Sequence, residues 1–247
     1  MSITADVYQI NIRDRIVGAG GLSGSATAPN GATALSAIAE TGATLPPGIS
    51  ASDVSAYYFA NGASTRTQGL DVAINYFTDF RKLGTVTWTA GIDLNRTRLH
   101  HNGTDGNGSP FLNEQSISYL TTAAPRSKII LDAFWKFGKF DVNARLTRYG
   151  QTTDDVTYEE LAPAALQYSS TQFAEFKNLP EWLTDLEVGY QIAPRWHVAI
   201  GANDIFNVRP RRLPAELSYL NVAYYDQTSS TVPINGGFYY GRLNFKF

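Results

Sequence analysis

The chain has 247 residues, a net charge of -2 and no cysteine, and 13% of its residues are aromatic. Near-neutral charge argues against a nucleic-acid partner, and the lack of cysteine excludes disulfides and thiolate metal centres without assigning a compartment. No stretch approaches the ~18–20 apolar residues of a membrane helix, and the opening "MSITADVYQINIRDRI" lacks the basic start and apolar core of a secretory signal.

Two-residue alternation recurs along the chain, and each run reads as a strand with one greasy and one polar face. Near the start, Tyr8, Ile10 and Ile12 alternate with Gln9, Asn11, Arg13 and Arg15. In "GLDVAINYF", Leu70, Val72, Ile74 and Tyr76 oppose Asp71 and Asn75. "TVTWTAGIDLN" sets Val86, Trp88, Ala90, Ile92 and Leu94 against threonines, Asp93 and Asn95. "SKIILDAFWKF" sets Ile129, Leu131, Ala133, Trp135 and Phe137 against Lys128, Asp132 and Lys136. "FDVNARLTRY" sets Phe140, Val142, Ala144 and Leu146 against Asp141, Asn143, Arg145 and Thr147. "LTDLEVGYQI" opposes Leu186, Val188, Tyr190 and Ile192 to Asp185, Glu187 and Gln191. "WHVAIGAN" opposes Trp196, Val198, Ile200 and Ala202 to His197, Gly201 and Asn203. The final "GGFYYGRLNFKF" puts Tyr239, Gly241, Leu243, Phe245 and Phe247 opposite Tyr240, Arg242, Asn244 and Lys246. The total is about eight strands.

One register is specified by the sequence. A two-residue turn at Gly138-Lys139 would place Phe137 opposite Phe140, Asp132 opposite Arg145, Lys136 opposite Asp141 and Leu131 opposite Leu146. Two opposite-charge pairs and an apolar ladder then follow together.

The connections alternate in length. Short ones fall near 81–83, 138–139 and 193–195. Long ones, rich in Gly, Ser, Thr, Asn and Pro, fall near 17–53, 100–126, 152–180 and 209–235. That alternation gathers tight turns at one end of a sheet and long loops at the other, as in an up-and-down outer-membrane barrel. Aromatics at strand ends (Tyr76, Phe77, Trp135, Phe137, Phe140, Trp182, Trp196, Tyr239) suit a membrane-interface girdle. The expected fold is therefore all-β: an antiparallel up-and-down transmembrane β-barrel segment, with short periplasmic turns and long extracellular loops, over 1–247. Two alternatives stay open: a stand-alone eight-stranded barrel with a structural or adhesive role, and a soluble β-sandwich or lipocalin-like binder. The second would bury the face carrying Leu131, Ala133, Val142, Ala144 and Leu146.

No catalytic constellation, metal site or cofactor is expected. His100-His101 lacks a third ligand at useful spacing, and "DGNGS" (105–109) lacks the later Glu of a calcium loop. His197 reads as a polar-face residue near the periplasmic rim, and the charges on the polar face (Asp71, Asp93, Asp132, Asp141, Arg145, Asp185, Glu187, Arg242, Lys246) read as cross-strand pairs on a lumen wall. Substrate candidates lie nearer the outer mouth: Arg13, Arg15, Arg98, Arg148, Tyr149 and Asn203, with the loop aromatics Tyr168, Tyr219, Tyr224 and Tyr225.

"YYFANGASTRTQGLDVAINYF" (57–77), "GANDIFNVRP" (201–210) and the last twelve residues resemble, in that order, segments of TonB-dependent outer-membrane receptors. Asp204 and Ile205 stand where that family usually has Asn and Leu. The resemblance implies the C-terminal part of a receptor barrel, in the outer membrane of a Gram-negative bacterium. It implies a transporter for a scarce solute, such as a ferric siderophore, cobalamin or an oligosaccharide. It makes Tyr239, Leu243, Phe245 and Phe247 the assembly signal read by the barrel-assembly machinery. The implied partners are outer-membrane lipid, the remaining barrel strands, the plug domain, and TonB acting through the plug. Signal peptide, TonB box and plug are not recognised in these residues, so a fragment, truncated gene or split protein is expected.

Overall fold

The computed structural model describes residues 1–23, 34–40, 42–50, 54–104, 110–157, 173–218 and 223–247. Ten strands run in chain order: β1 (Ser2–Ser23), β2 (Ser55–Asp79), β3 (Thr85–Asn102), β4 (Ser127–Phe137), β5 (Phe140–Tyr149), β6 (Thr152–Thr157), β7 (Phe173–Asn178), β8 (Glu181–Ala193), β9 (Trp196–Asn203) and β10 (Phe238–Phe245). Two short helices join them, α1 (Ala34–Glu40) and α2 (Glu114–Thr121). Among the described residues, eight strands form one sheet in the order β1-β2-β3-β4-β5-β8-β9-β10, and β6 pairs with β7 in a second. The long 152–180 connection thus carries a hairpin of its own, which its Thr and Asp content concealed. Two compact units result: Met1–Gln9 with Gln68–Arg96 and Ser118–Phe247, and Ile10–Thr67 with Thr97–Ile117.

In the first unit the β4–β5 hairpin has the expected register, with Phe137 opposite Phe140, Lys136 opposite Asp141, Asp132 opposite Arg145 and Leu131 opposite Leu146. Gly138 takes φ 59, a conformation a two-residue hairpin turn needs and glycine adopts without a Cβ clash. The β2–β3 turn is a single 3-10 turn, Arg81–Leu83, closed by Gly84 at φ 85 and ψ -160. A Cβ on Gly84 would collide with the Lys136 carbonyl.

The apolar face of this unit has no protein layer over it among the described residues. Trp88, Leu131, Leu146, Val188, Leu243 and, at 71%, Ile200 are all exposed. Large apolar side chains left in water would forfeit roughly 1.5–3 kcal/mol each, so their natural solvent is lipid. The soluble sandwich or lipocalin-like reading required this face to be buried, and it is not. Rings mark both rims of the band. At the tight-turn rim, Phe140 meets Tyr190 at 4.7 Å, Trp196 meets Phe245 at 4.5 Å, and Phe245 meets Phe247 at 5.2 Å between centroids. Trp135 donates its indole N–H to the Leu83 carbonyl at 2.7 Å. At the other rim stand Trp182 and Tyr239, both exposed. Tyr239 and Phe245 are six residues apart on β10, roughly 20 Å of extended chain, close to the height of an outer-membrane apolar band.

The opposite face pairs its charges. Arg145 donates to Asp132 at 3.1 Å, His197 meets Asp141 at 2.7 Å, and Glu187 accepts from both Arg242 and the Tyr240 hydroxyl. Asp141 faces Lys136 in register, yet its carboxylate goes to His197 across β8. Gly189 leaves the opening through which that pair meets, because a Cβ there would overlap both side chains. Gly69 and Gly201 are covered in the same way by the rings of Tyr8 and Tyr240.

The contact with Gly69 reverses the expected orientation of β1. Tyr8 lies on the side of Asp71, while Val7, 83% exposed, stands on the apolar side. Gln9 and Gln68 bond at 2.9 Å on that outer side. Near the loop end the outer face is wet, so alternation there no longer reports lipid.

In the second unit, Arg66 donates to Asn11 at 2.9 Å and Arg15 donates to Thr65 at 3.3 Å. Arg66 and Thr65 are consecutive and point to opposite faces of β2, so Asn11 and Arg15 do too, although they are four residues apart. Asp14, at φ 51, is the cause: one residue in the left-handed region makes a bulge that turns the strand over. This unit also packs Phe111 against Gly62 and Gly103, whose missing Cβ atoms leave the ring its place. Asn102 fastens Leu112 with both amide atoms, at 2.8 and 3.1 Å.

Candidate functional site

The first unit carries a buried polar cluster on its long-loop side. It draws on α2, the β6–β7 hairpin and the segment before β10. Asp154 on β6 is 1% exposed and accepts the Ser118 hydroxyl of α2 at 2.5 Å. The same hydroxyl accepts the Asp155 N–H at 3.2 Å. Thr152 donates to the Ser229 carbonyl at 2.6 Å, and Asn178 donates to the Ser229 hydroxyl at 2.8 Å. Asp226 organises "DQTSS" (226–230): it accepts the N–H of Thr228 at 3.0 Å, the N–H of Ser229 at 3.1 Å and the Ser229 hydroxyl. An Asp that binds backbone two and three residues on is a local turn device, here enclosed by neighbouring loops.

Two carboxylates meet in this interior. Burial pushes the Asp154 carboxyl up to about 6; the Ser118 hydrogen bond opposes the rise and nearby Asp226 adds to it. Neighbouring Tyr119 hydrogen-bonds Thr228, while burial raises its phenol above the ordinary value.

Two cavities border the cluster. One, of about 340 Å³, is lined by Tyr119, Pro125, Tyr149, Thr228, Ser230 and Thr231 among others. The second, of about 310 Å³, includes Arg126, Gln151, Thr153 and Glu175. Larger hollows of about 520 and 380 Å³ lie between Ile200, Tyr239 and Leu186, and between Trp88, Leu131 and Leu146. These are grooves in the apolar face and belong to lipid.

The candidates chosen from sequence are distributed unevenly. Tyr149 lines the 340 Å³ cavity on the inward side, with Lys128 stacked on its ring at 5.2 Å. Arg148 points the other way and reaches the Ser127 hydroxyl at 3.4 Å. Asn203 ends β9 opposite Phe238. In the second unit Arg15 lies on the Thr65 side, and its Nε is buried without a partner among the described residues. Strand alternation puts Arg13 on the Asn11 side. Arg98 is likewise opposite Thr97, which bonds Thr67 at 2.8 Å. Tyr225 bridges Arg212 through backbone, and the Arg212 guanidinium covers the ring of Tyr224 at 5.6 Å. Tyr168, Tyr219 and "DGNGS" lie outside the described residues. The residues expected to form an assembly signal, Tyr239, Leu243, Phe245 and Phe247, are all exposed on the apolar side.

Periodicity could not find Tyr119, Asp154 or Asp226, which sit in short elements and loops. The signal that was available is an Asp two residues before Thr-Ser-Ser, a side-chain-capped turn. "GANDIFNVRP" also has a structural use. Asp204 and Asn207 adopt φ 49 and 55, values Asp and Asn tolerate best among side-chain-bearing residues. The Asp204 N–H reaches the Asp185 carboxylate at 2.8 Å, and the Asn207 side chain accepts the Gly237 N–H at 3.2 Å. The stretch thus fastens the end of β9 to β8 and to the residue just before β10.

Comparison with known proteins agrees with this architecture. The family model described as TonB dependent receptor-like, beta-barrel, matches residues 1–205. No curated protein sequence matches. Among solved structures, the outer membrane transporter YddB from Escherichia coli aligns at TM-score 0.62 and 11% identity, covering 99% of this chain and 30% of that one. The FrpB iron transporter from Neisseria meningitidis aligns at 0.58 and 13%, covering 99% and 29%. The pyoverdine outer membrane receptor FpvA from Pseudomonas aeruginosa, bound to pyoverdine, aligns at 0.53 and 15%, covering 98% and 27%. The chain therefore spans under a third of the length of these structures. With a family match over most of its residues and an up-and-down sheet whose apolar face is bare, the chain belongs to the TonB-dependent receptor β-barrel family of the Gram-negative outer membrane.

Proposed function

We propose that this chain forms barrel wall and ligand-facing loops of an energy-coupled outer-membrane transporter for a scarce solute. Supporting this, one side of the sheet has only tight turns, while the other concentrates its polar burial in loops tied to one another and bordered by cavities. A rigid sheet that carries interlocked loops is how a binding surface is held in place. Plug, remaining strands and TonB contact are the partners the family supplies. The exposed aromatics of β10 are the part offered to the barrel-assembly machinery.

Uptake assays test this reading. The receptor containing this chain is expected in the outer-membrane fraction, with solute accumulation that stops when TonB is removed or the proton gradient is collapsed. Accumulation indifferent to both would overturn it.

A further inference from the structure

The cavity beside α2 has a chemistry of its own. Its walls are the rings of Tyr119 and Tyr149, the apolar surface of Ala123, Ala124 and Pro125, and the hydroxyl residues Thr228, Ser230 and Thr231. None of these side chains carries a carboxylate, ammonium or guanidinium group. Lys128 is stacked on the Tyr149 ring and faces Asp93 in register. Behind the hydroxyl wall lie acids: Asp226 accepts the Thr228 N–H at 3.0 Å, and Asp154 neighbours Asp226. Their field opposes an anionic ligand such as a ferric chelate carrying carboxylates or catecholates.

Aromatic faces suit flat arrays of C–H bonds, and hydroxyls that both donate and accept suit other hydroxyls. A volume of about 340 Å³ lies at the lower end of the ~300–1,000 Å³ of small-molecule sites, room for about one or two rings. We propose that this cavity is a subsite for a neutral, polyhydroxylated ligand, a saccharide unit held between Tyr119 and Tyr149 and hydrogen-bonded by the 228–231 turn. This rests on the transporter reading and names the class of its solute.

The wall is built in advance of any ligand. The Asp226 turn presents Thr228 to the Tyr119 hydroxyl, and Ser118 anchors the helix carrying Tyr119 to Asp154. A preformed wall spares the ligand the entropy of ordering it.

The test is calorimetric titration of the purified full receptor with maltotriose, cellotriose, xylotriose and mannotriose as probes. Binding of at least one is expected. Tyr119→Ala and Tyr149→Ala should each weaken it about tenfold or more, and Thr228→Val about fivefold. Tyr119→Phe keeps the ring, should stay within about fivefold of the parent, and guards against a folding artefact. No binding by any probe, or binding untouched by both alanine changes, overturns the proposal. A receptor that still accumulates an anionic ferric chelate in a TonB-dependent way would then keep the transporter reading and lose this one.

Discussion

The polar wall of the first unit and its loop-side cluster both hold charged side chains, but they hold them differently. On the wall, pairs such as Arg145 with Asp132 lie across strands already fixed by backbone ladders, and the Arg145 side chain is 50% exposed. In the cluster, Asp154 and Asp226 are buried, and their partners include the backbone that shapes the loops. Wall pairs decorate a structure that exists without them. Cluster bonds are themselves the reason the loops have a shape, since a buried polar group left unmade costs its full desolvation.

That contrast can be broken experimentally. The largest effect is expected for Asp226→Ala, which leaves the Thr228 and Ser229 donors without their acceptor and should release about 3 kcal/mol or more of local stability. Hydrogen exchange of 226–231 reads it directly; unchanged protection would mean the turn stands without Asp226. Next comes Gly84→Ala, which forces a side chain into a glycine conformation and onto the Lys136 carbonyl, a cost of roughly 1–3 kcal/mol before any relaxation. Its measure is the yield of assembled, heat-modifiable receptor.

A pH shift is the third and separates the two regions most cleanly. The Asp154 carboxyl titrates higher when folded than its ordinary 3.8, so its contribution is full below that value and is lost as pH rises toward about 6. The β6–β7 hairpin should therefore exchange faster at about pH 7.5 than at about pH 5, after correction for intrinsic rates, and Asp154→Asn should flatten the difference. The wall amides of β4 and β5 serve as the internal reference. Smallest is Arg145→Ala, expected within about 1 kcal/mol in urea titration. A larger loss would show that the wall pairs carry stability after all.

The strands were legible because one face meets lipid and the other water, which imposes strict alternation. The β4–β5 register could be written out in advance, since charge pairs and turn length agreed on it. Legibility failed where that boundary condition stopped. On β1 the same alternation continues, but Gln9 and Asn11 are outward and Tyr8 inward, because the outer face there is wet. The cavity was half visible: Tyr149 follows from strand parity, whereas Tyr119 and Thr228 come together only through long-range closure. No local pattern marks Tyr119, on a helix of eight residues, and Thr228, 109 positions further along the sequence, as neighbours, yet the two hydrogen-bond and line one cavity.

The bulge at Asp14 has a practical consequence for mapping this molecule. Single cysteines placed along β1 and probed with an impermeant thiol reagent would normally label every second site in one unbroken rhythm. Here the rhythm slips by one beat, so Asn11 and Arg15, which share a parity, would report opposite sides of the strand. A topology map that assumes a steady beat would assign everything after that point to the wrong side.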